Sequence, residues 1–132
     1  MLGEIDIETN FPVVPVTING REVSCLVDTG FNGYLWTDSI IARHLLGIEV
    51  LNRVDGTSQI ADGSFAEFEI VRVDVPWFGR LFQPSLQVVF TIRNSKFPVV
   101  LGTRMLIGYV LIVDFNHGIV QIRNPDVYRV SP

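Results

Sequence analysis

The sequence predicts an all-β domain carrying one or two short helices. Short runs rich in Val, Ile and Phe recur along the chain, bounded by Gly, Pro, Asn and Asp. Asn19-Gly20 and Asn116-His117-Gly118 stand between such runs, where hairpin turns belong. Two stretches depart from the strand pattern, "TDSIIARHLLG" and "GTRMLIGY".

Taken in order, "VVPVTING" and "REVSCLVD" form a hairpin around Asn19-Gly20, because both residues tolerate positive φ. "TDSIIARHLLG" reads as a short helix with Thr37 or Asp38 as its cap, Ile40, Ile41 and Leu45 as its apolar positions, and Gly47 as its stop. "SFAEFEIVRVDVPW" alternates as a strand: Phe65, Phe68 and Ile70, then Val71, Val73 and Val75 against Arg72 and Asp74. A second hairpin runs through Trp77-Phe78-Gly79-Arg80 into "LFQPSLQVVF". "GTRMLIGY" holds one more helical turn, and "YVLIVDF" pairs with "GIVQIRN". Met1 to Phe11 and Asn124 to Pro132 have weak strand character.

Composition bounds the function. The 132 residues suit a single domain over 1–132, and 48% apolar content supports a packed core. No apolar run approaches the roughly 20 residues a bilayer-spanning helix needs. "MLGEID" carries acids where a secretory signal would carry positive charge, so no export is expected. The one cysteine, Cys25, excludes an internal disulfide and fits a reducing, cytoplasmic setting. Net charge is −4 with the basic residues scattered, which argues against nucleic acid or membrane as a partner. His44 and His117 have no second ligand nearby in sequence, and no Gly-rich phosphate loop or Gly-x-Ser-x-Gly elbow occurs, so no metal or cofactor is expected. Cys25, Trp36 and Trp77 read as packing residues, and Asp62 as a turn former.

Within "SCLVDTGFNGYLW" an apolar strand runs directly into Asp28, Thr29 and Gly30. Strand alternation puts Leu26 and Asp28 on one apolar face. Gly30 permits a tight turn after the acid, and Thr29 offers a hydroxyl able to bond main chain across an interface. An acid held rigidly by a short turn is the result. An ordinary strand-ending turn, with Asp28 bonding its own loop, is the better account of the tripeptide taken alone.

"CLVDTGFNGYL", about seventy residues before "FPVVLGTRML", resembles the retropepsin-like branch of the aspartic proteases. Val99-Val100-Leu101-Gly102 followed by Met105-Leu106 matches that family's later apolar pair, buried glycine and short helix. "VLIVDFNHGIVQI" matches its closing strand pair, and "SQIADGSFAEFEIVRVDVPW" stands where the family has a flap hairpin. The four pieces span roughly residues 12 to 123, and the wording "DTGFNG" and "ADGS" is most similar to small microbial members. The resemblance implies a single-lobe closed β-barrel or sandwich completed by homodimerisation. Neutral Asn32 and Thr103 stand where many viral members carry an acid and an arginine that brace the dimer. The flap has the single tip glycine Gly63 and no tyrosine, and the helix at 38–46 is extra to the viral pattern.

Metal-free peptide hydrolysis without a covalent intermediate needs two carboxylates close enough to share a proton. Asp114 in "IVDFNHG" echoes Asp28, but no Thr-Gly turn follows, so it reads as a surface or turn-bonding acid. The expectation is therefore an aspartic endopeptidase, with Asp28 from each of two subunits sharing one cleft on a peptide or protein substrate. By resemblance, Thr29 and Gly30 complete the catalytic motif, and Gly30 and Asn32 offer backbone to an extended substrate. By the same resemblance Ile60, Ala61, Asp62, Gly63 and Ser64 close from above, and Phe31, Pro98 and Val100 line side-chain pockets. The alternative is a module of the same fold that dimerises or binds peptide with little proteolysis.

Overall fold

The computed structural model describes residues 1–59, 63–90 and 95–125. Along the chain run β1 (Leu2–Ile5), β2 (Pro12–Ile18), β3 (Arg21–Val27), β4 (Leu35–Asp38), α1 (Ser39–His44), β5 (Gly56–Gln59) and β6 (Phe65–Arg72). These are followed by β7 (Val75–Trp77), β8 (Arg80–Phe82), β9 (Ser85–Val89), β10 (Val99–Leu101), α2 (Thr103–Leu106), β11 (Val110–Asp114) and β12 (Ile119–Arg123). Ten strands form one sheet in the order β11-β12-β1-β2-β3-β10-β4-β9-β6-β5, and β7 pairs with β8 apart from it. The all-β, single-lobe expectation holds, but the sheet is open: β11 and β5 end it without pairing to each other. Closure would require those two strands to exchange hydrogen bonds, and among the described residues each has a neighbour on one side only.

Local chemistry accounts for the hairpins. Asn19 and Gly20 take φ of 50° and 79°, the left-handed pair that matches the twist of β2 on β3. The β7–β8 turn places Phe78 (φ 51°) before Gly79 (φ 79°), an unfavourable seat for a bulky residue. Its ring stacks on Tyr109 with centroids 4.6 Å apart and meets Trp77 edge-on, which offsets that strain.

The helices follow the expected positions, and of the three apolar positions expected in α1 only Ile41 packs against the core. Asp38 is the cap of α1: its Oδ1 accepts the Ile41 N–H at 2.9 Å. Thr37 belongs to β4 instead, and its hydroxyl donates to the Pro98 carbonyl at 2.6 Å. Ser39 and Ala42 are the buried positions of α1, while Ile40 and Leu45 stay exposed. The chain leaves the helix through Gly47 at φ 64°.

Long β6–β7 continuity fails at Val73-Asp74, where Asp74 exchanges hydrogen bonds with Asn19 at 2.8 and 2.9 Å. Phe65 and Ile70 are exposed, whereas Glu69 is 2% exposed on the core side. Its carboxylate accepts the Leu51 and Arg53 N–H groups at 3.1 and 2.7 Å, satisfying a charge that burial would otherwise make costly. β1, read as weak in sequence, is a paired strand seated between β12 and β2.

Register gives the sheet two faces. Val27, Leu101, Leu35, Leu86 and Val71 lie side by side across β3, β10, β4, β9 and β6 on the core face. Val13, Leu26, Val100 and Trp36 form the matching row on the opposite face. Asp28 follows Leu26 by two residues and emerges on that second face.

Candidate active site

The site is built where β3 and β10 run parallel and end together. The Asp28 N–H donates to the Leu101 carbonyl at 2.9 Å, extending the parallel pairing by one bond. The chain then turns: the Gly30 N–H donates to Asp28 Oδ1 at 2.9 Å and the Phe31 N–H to the Asp28 carbonyl at 3.1 Å. One carboxylate oxygen thus anchors the turn, and Asp28 itself is half-buried, with Thr29 and Gly30 exposed beside it. A side chain at Gly30 would approach Asp28 Oδ1 to 3.1 Å, so the glycine leaves room for that bond.

The loop from Phe31 to Tyr34 closes over the start of α2. Gly102, Thr103 and Arg104 donate N–H bonds to the carbonyls of Tyr34, Phe31 and Gly33 at 2.8, 2.8 and 3.0 Å. The Arg104 guanidinium lies 5.8 Å from the Tyr34 ring centre. Gly102 is buried under this loop, as the match of "VVLG" to a buried glycine implied. Asn32 is exposed and Thr103 half-buried.

An apolar cleft of about 470 Å³ opens beside Asp28. Leu26, Val27, Asp28 and Thr29 form one wall, Phe11 and Pro12 another, and Leu111, Val113 and Phe115 of the β11 side a third. The sequence reading did not assign the second and third walls to the site. Alternation in "YVLIVDF" puts Leu111, Val113 and Phe115 on one face, but β12, β1 and β2 stand between β11 and β3 in the sheet, so only the folded chain brings that face to the cleft.

The remaining assigned residues separate. Pro98 is half-buried and its carbonyl is held by Thr37. Val100 is 2% exposed between Leu26 and Trp36, so within one chain it supports the floor and offers a substrate almost no surface. Gly63 (φ 87°) and Ser64 are exposed next to the β5–β6 hairpin, the Gly63 carbonyl accepting from Gln59 Nε2 at 3.2 Å. Ile60, Ala61 and Asp62 lie outside the described residues. Phe31 is half-buried and packs within its own loop, its ring edge-on to Trp36 with centroids 6.5 Å apart.

Asp114 is a turn-bonding acid. Its Oδ1 accepts the Asn116 and His117 N–H groups at 3.0 and 3.1 Å, and Oδ2 lies 2.7 Å from His117 Nδ1. The His117 ring hydrogen bond, then the backbone bonds, hold its carboxyl below the ordinary value of 3.8. Among the described residues no three His, Cys, Asp or Glu side chains group as a metal site would require.

An acid-turn-glycine at the joint end of two parallel strands, on a single β lobe, is the arrangement of a retropepsin-like aspartic protease. A model of the aspartyl protease family matches residues 14–105, and the chain belongs to that family. In structure it is similar to a retropepsin-like aspartic protease from Rickettsia conorii, with a TM-score of 0.70 at 15% identity over 94% of this chain and 89% of that one. The protease of EIAV, solved with the inhibitor HBY-793, gives a TM-score of 0.56 at 18% identity over 77% and 90%. The retroviral protease-like domain of Ddi1 from Leishmania major gives 0.53 at 19% identity over 85% and 87%. No curated protein sequence matches the chain significantly. No helix among the described residues is long and apolar enough to cross a membrane.

Proposed function

We propose that this chain is an aspartic endopeptidase whose active site forms between two copies, each contributing Asp28. The observation that carries this reading is the half-buried Asp28, its carboxylate accepting from Gly30 and its N–H donating to Leu101, at the rim of an apolar cleft in which it is the one acid among the described residues. Two Asp28 side chains meeting across a two-fold axis share one proton, because like charges a few ångströms apart do not both ionise. The ionised member takes a proton from water, which attacks the peptide carbonyl, while the protonated member donates to the carbonyl oxygen. The tetrahedral species collapses as the Asp28 that took the proton from water passes it to the amide nitrogen, its partner takes back the proton on the former carbonyl oxygen, and the C–N bond breaks.

Other assignments belong to the same proposal. Thr29 and Gly30 shape the turn, and the backbone at Gly30 and Asn32 pairs with an extended peptide. The β5–β6 hairpin is the flap, with Gly63 and Ser64 leading into β6. Pro98 borders the side-chain subsites, and the cleft walls of Leu26, Phe11 and Val113 favour apolar residues beside the scissile bond. No cofactor takes part, and the chain works as one domain per subunit in the cytoplasm.

The test is cleavage of denatured casein at mildly acidic pH by wild type and Asp28→Asn. Asparagine keeps the oxygen that accepts from Gly30, so the variant remains folded and dimeric while cleavage is lost. Equal cleavage by both proteins would overturn the assignment. Dimerisation and peptide binding by a wild type that cleaves nothing would favour a binding module of the same fold.

A further inference from the structure

Phe31 touches the two glycines that flank the catalytic turn. A Cβ on Gly33 would fall 2.5 Å from Phe31 Cζ and 2.8 Å from Cε1, and its three nearest neighbours are all atoms of that ring. A Cβ on Gly102 would fall 2.5 Å from Phe31 Cδ2, and would also meet the carbonyl oxygens of Phe31 and Gly33. Gly102 has φ −101°, and Gly33 is not among the positive-φ glycines, so both are small for space and not for backbone freedom. The ring also meets Trp36 edge-on, on the row that carries Leu26 and Val100.

The main chain of Phe31 is tied at both ends of the site. Its N–H closes the turn on the Asp28 carbonyl at 3.1 Å, and its carbonyl accepts the Thr103 N–H at 2.8 Å. A ring seated against Gly33 and Gly102 therefore fixes the turn bearing Asp28 relative to β10 and α2. The flanking Asn32 and Thr103 are neutral, so no ion pair between them shares that task.

We infer that Phe31 is an aromatic wedge that positions Asp28, rather than a side chain that selects substrate. This rests on the protease reading of the Asp28 site. A misplacement of about 1 Å at a reacting carboxylate lowers turnover by as much as about a hundredfold, whereas losing a pocket wall weakens substrate binding or changes the preferred residue. The wedge and the pocket wall thus predict different kinetics.

The experiment combines Phe31→Ala, Phe31→Leu, Gly33→Ala, Gly102→Ala and the doubles Phe31→Ala/Gly33→Ala and Phe31→Ala/Gly102→Ala. Urea unfolding midpoints are measured for all. Values of kcat and KM are measured on a peptide spanning the first casein site that wild type cleaves. Gly33→Ala lowers the midpoint in the wild-type background and much less when Phe31 is already Ala, since the ring is what its methyl meets. Gly102→Ala stays harmful in both backgrounds, because two carbonyl oxygens remain in its way. Phe31→Ala lowers kcat about ten- to a hundredfold with little change in KM, and Phe31→Leu recovers part of it. Should Phe31→Ala fail to fold, Phe31→Leu replaces it in the doubles and in the kinetics. Additive midpoint shifts for Phe31 and Gly33 would overturn the wedge, as would a change confined to KM or to the residue preferred at the cut. A wild type that cleaves nothing counts against the protease reading and removes the positioning role with it, while absent coupling in an active enzyme counts against the wedge alone.

Discussion

The N–H of Asp28 donates to the carbonyl of Leu101 at 2.9 Å, so the acid leaves β3 already fastened to the end of β10. Segments some seventy residues apart in sequence converge on this one bond. The Gly30 N–H on Oδ1 then holds the side chain on the cleft face. Rigidity of this kind is what general acid-base chemistry asks of a carboxylate, since reorientation during reaction costs rate.

Gly102→Ala tests the roof of that arrangement. The new methyl would meet two backbone oxygens and the Phe31 ring, and backbone cannot step aside as a flexible side chain can. Overpacking of this sort costs about 1–3 kcal/mol, and urea unfolding should show a loss of that size with little activity left. An unchanged midpoint would mean that the loop at 31–34 does not lie against Gly102.

The base of the β5–β6 hairpin should loosen in acid. Asp55 accepts the Ile70 N–H at 2.7 Å and pairs with Arg53 at 3.0 Å; the backbone bond first, then Arg53, holds its carboxyl below the ordinary 3.8. A carboxyl depressed by folding adds stability above its unfolded value, and that addition disappears as pH falls through the lower folded value. The melting-temperature gap between wild type and Asp55→Ala is therefore full at pH 6, begins to close below about pH 4, and narrows further as Asp55 protonates. A gap that stays constant from neutral pH down to pH 2 would contradict this.

Cys25 should resist thiol reagents. Burial pushes its thiol from 9.0 up to about 12, which leaves about a thousandfold less thiolate at pH 8 than an ordinary cysteine. Labelling with a disulfide reagent should proceed only after urea unfolds the chain. Stoichiometric labelling of the native protein within minutes would show that the β3 core is open.

Much of this was legible in the sequence because it is locally encoded. Asn19-Gly20 announces the β2–β3 hairpin through residues that accept positive φ, and Thr37-Asp38 announces α1 as a pair of capping candidates, of which Asp38 takes the role. Asp114 could be told from Asp28 because no tight Thr-Gly turn follows it, and the structure shows it bonding its own turn. What the sequence concealed depends on distant partners. β1 is a strand because β12 and β2 pair with it, not through any strong preference of Leu2 to Ile5. Glu69 looks like a solvent-facing acid until Leu51 and Arg53 supply its N–H donors. Of the apolar positions that spacing picks in α1 only Ile41 meets the core, because a six-residue helix has too few turns for spacing to select among Ile40, Ile41 and Ala42. Phe11 and Phe115 line the cleft beside Asp28 although they are far from it in sequence, a meeting that only the folded chain makes.

Subunit mixing tests the shared site most directly. Wild type and Asp28→Asn are combined at constant total concentration under exchange, and casein cleavage is followed as the wild-type fraction falls. If both acids are needed, activity follows the square of that fraction, so an equal mixture retains roughly a quarter. Activity that falls in simple proportion, retaining about half at equal mixing, would show each chain acting alone and would contradict a site shared between two copies.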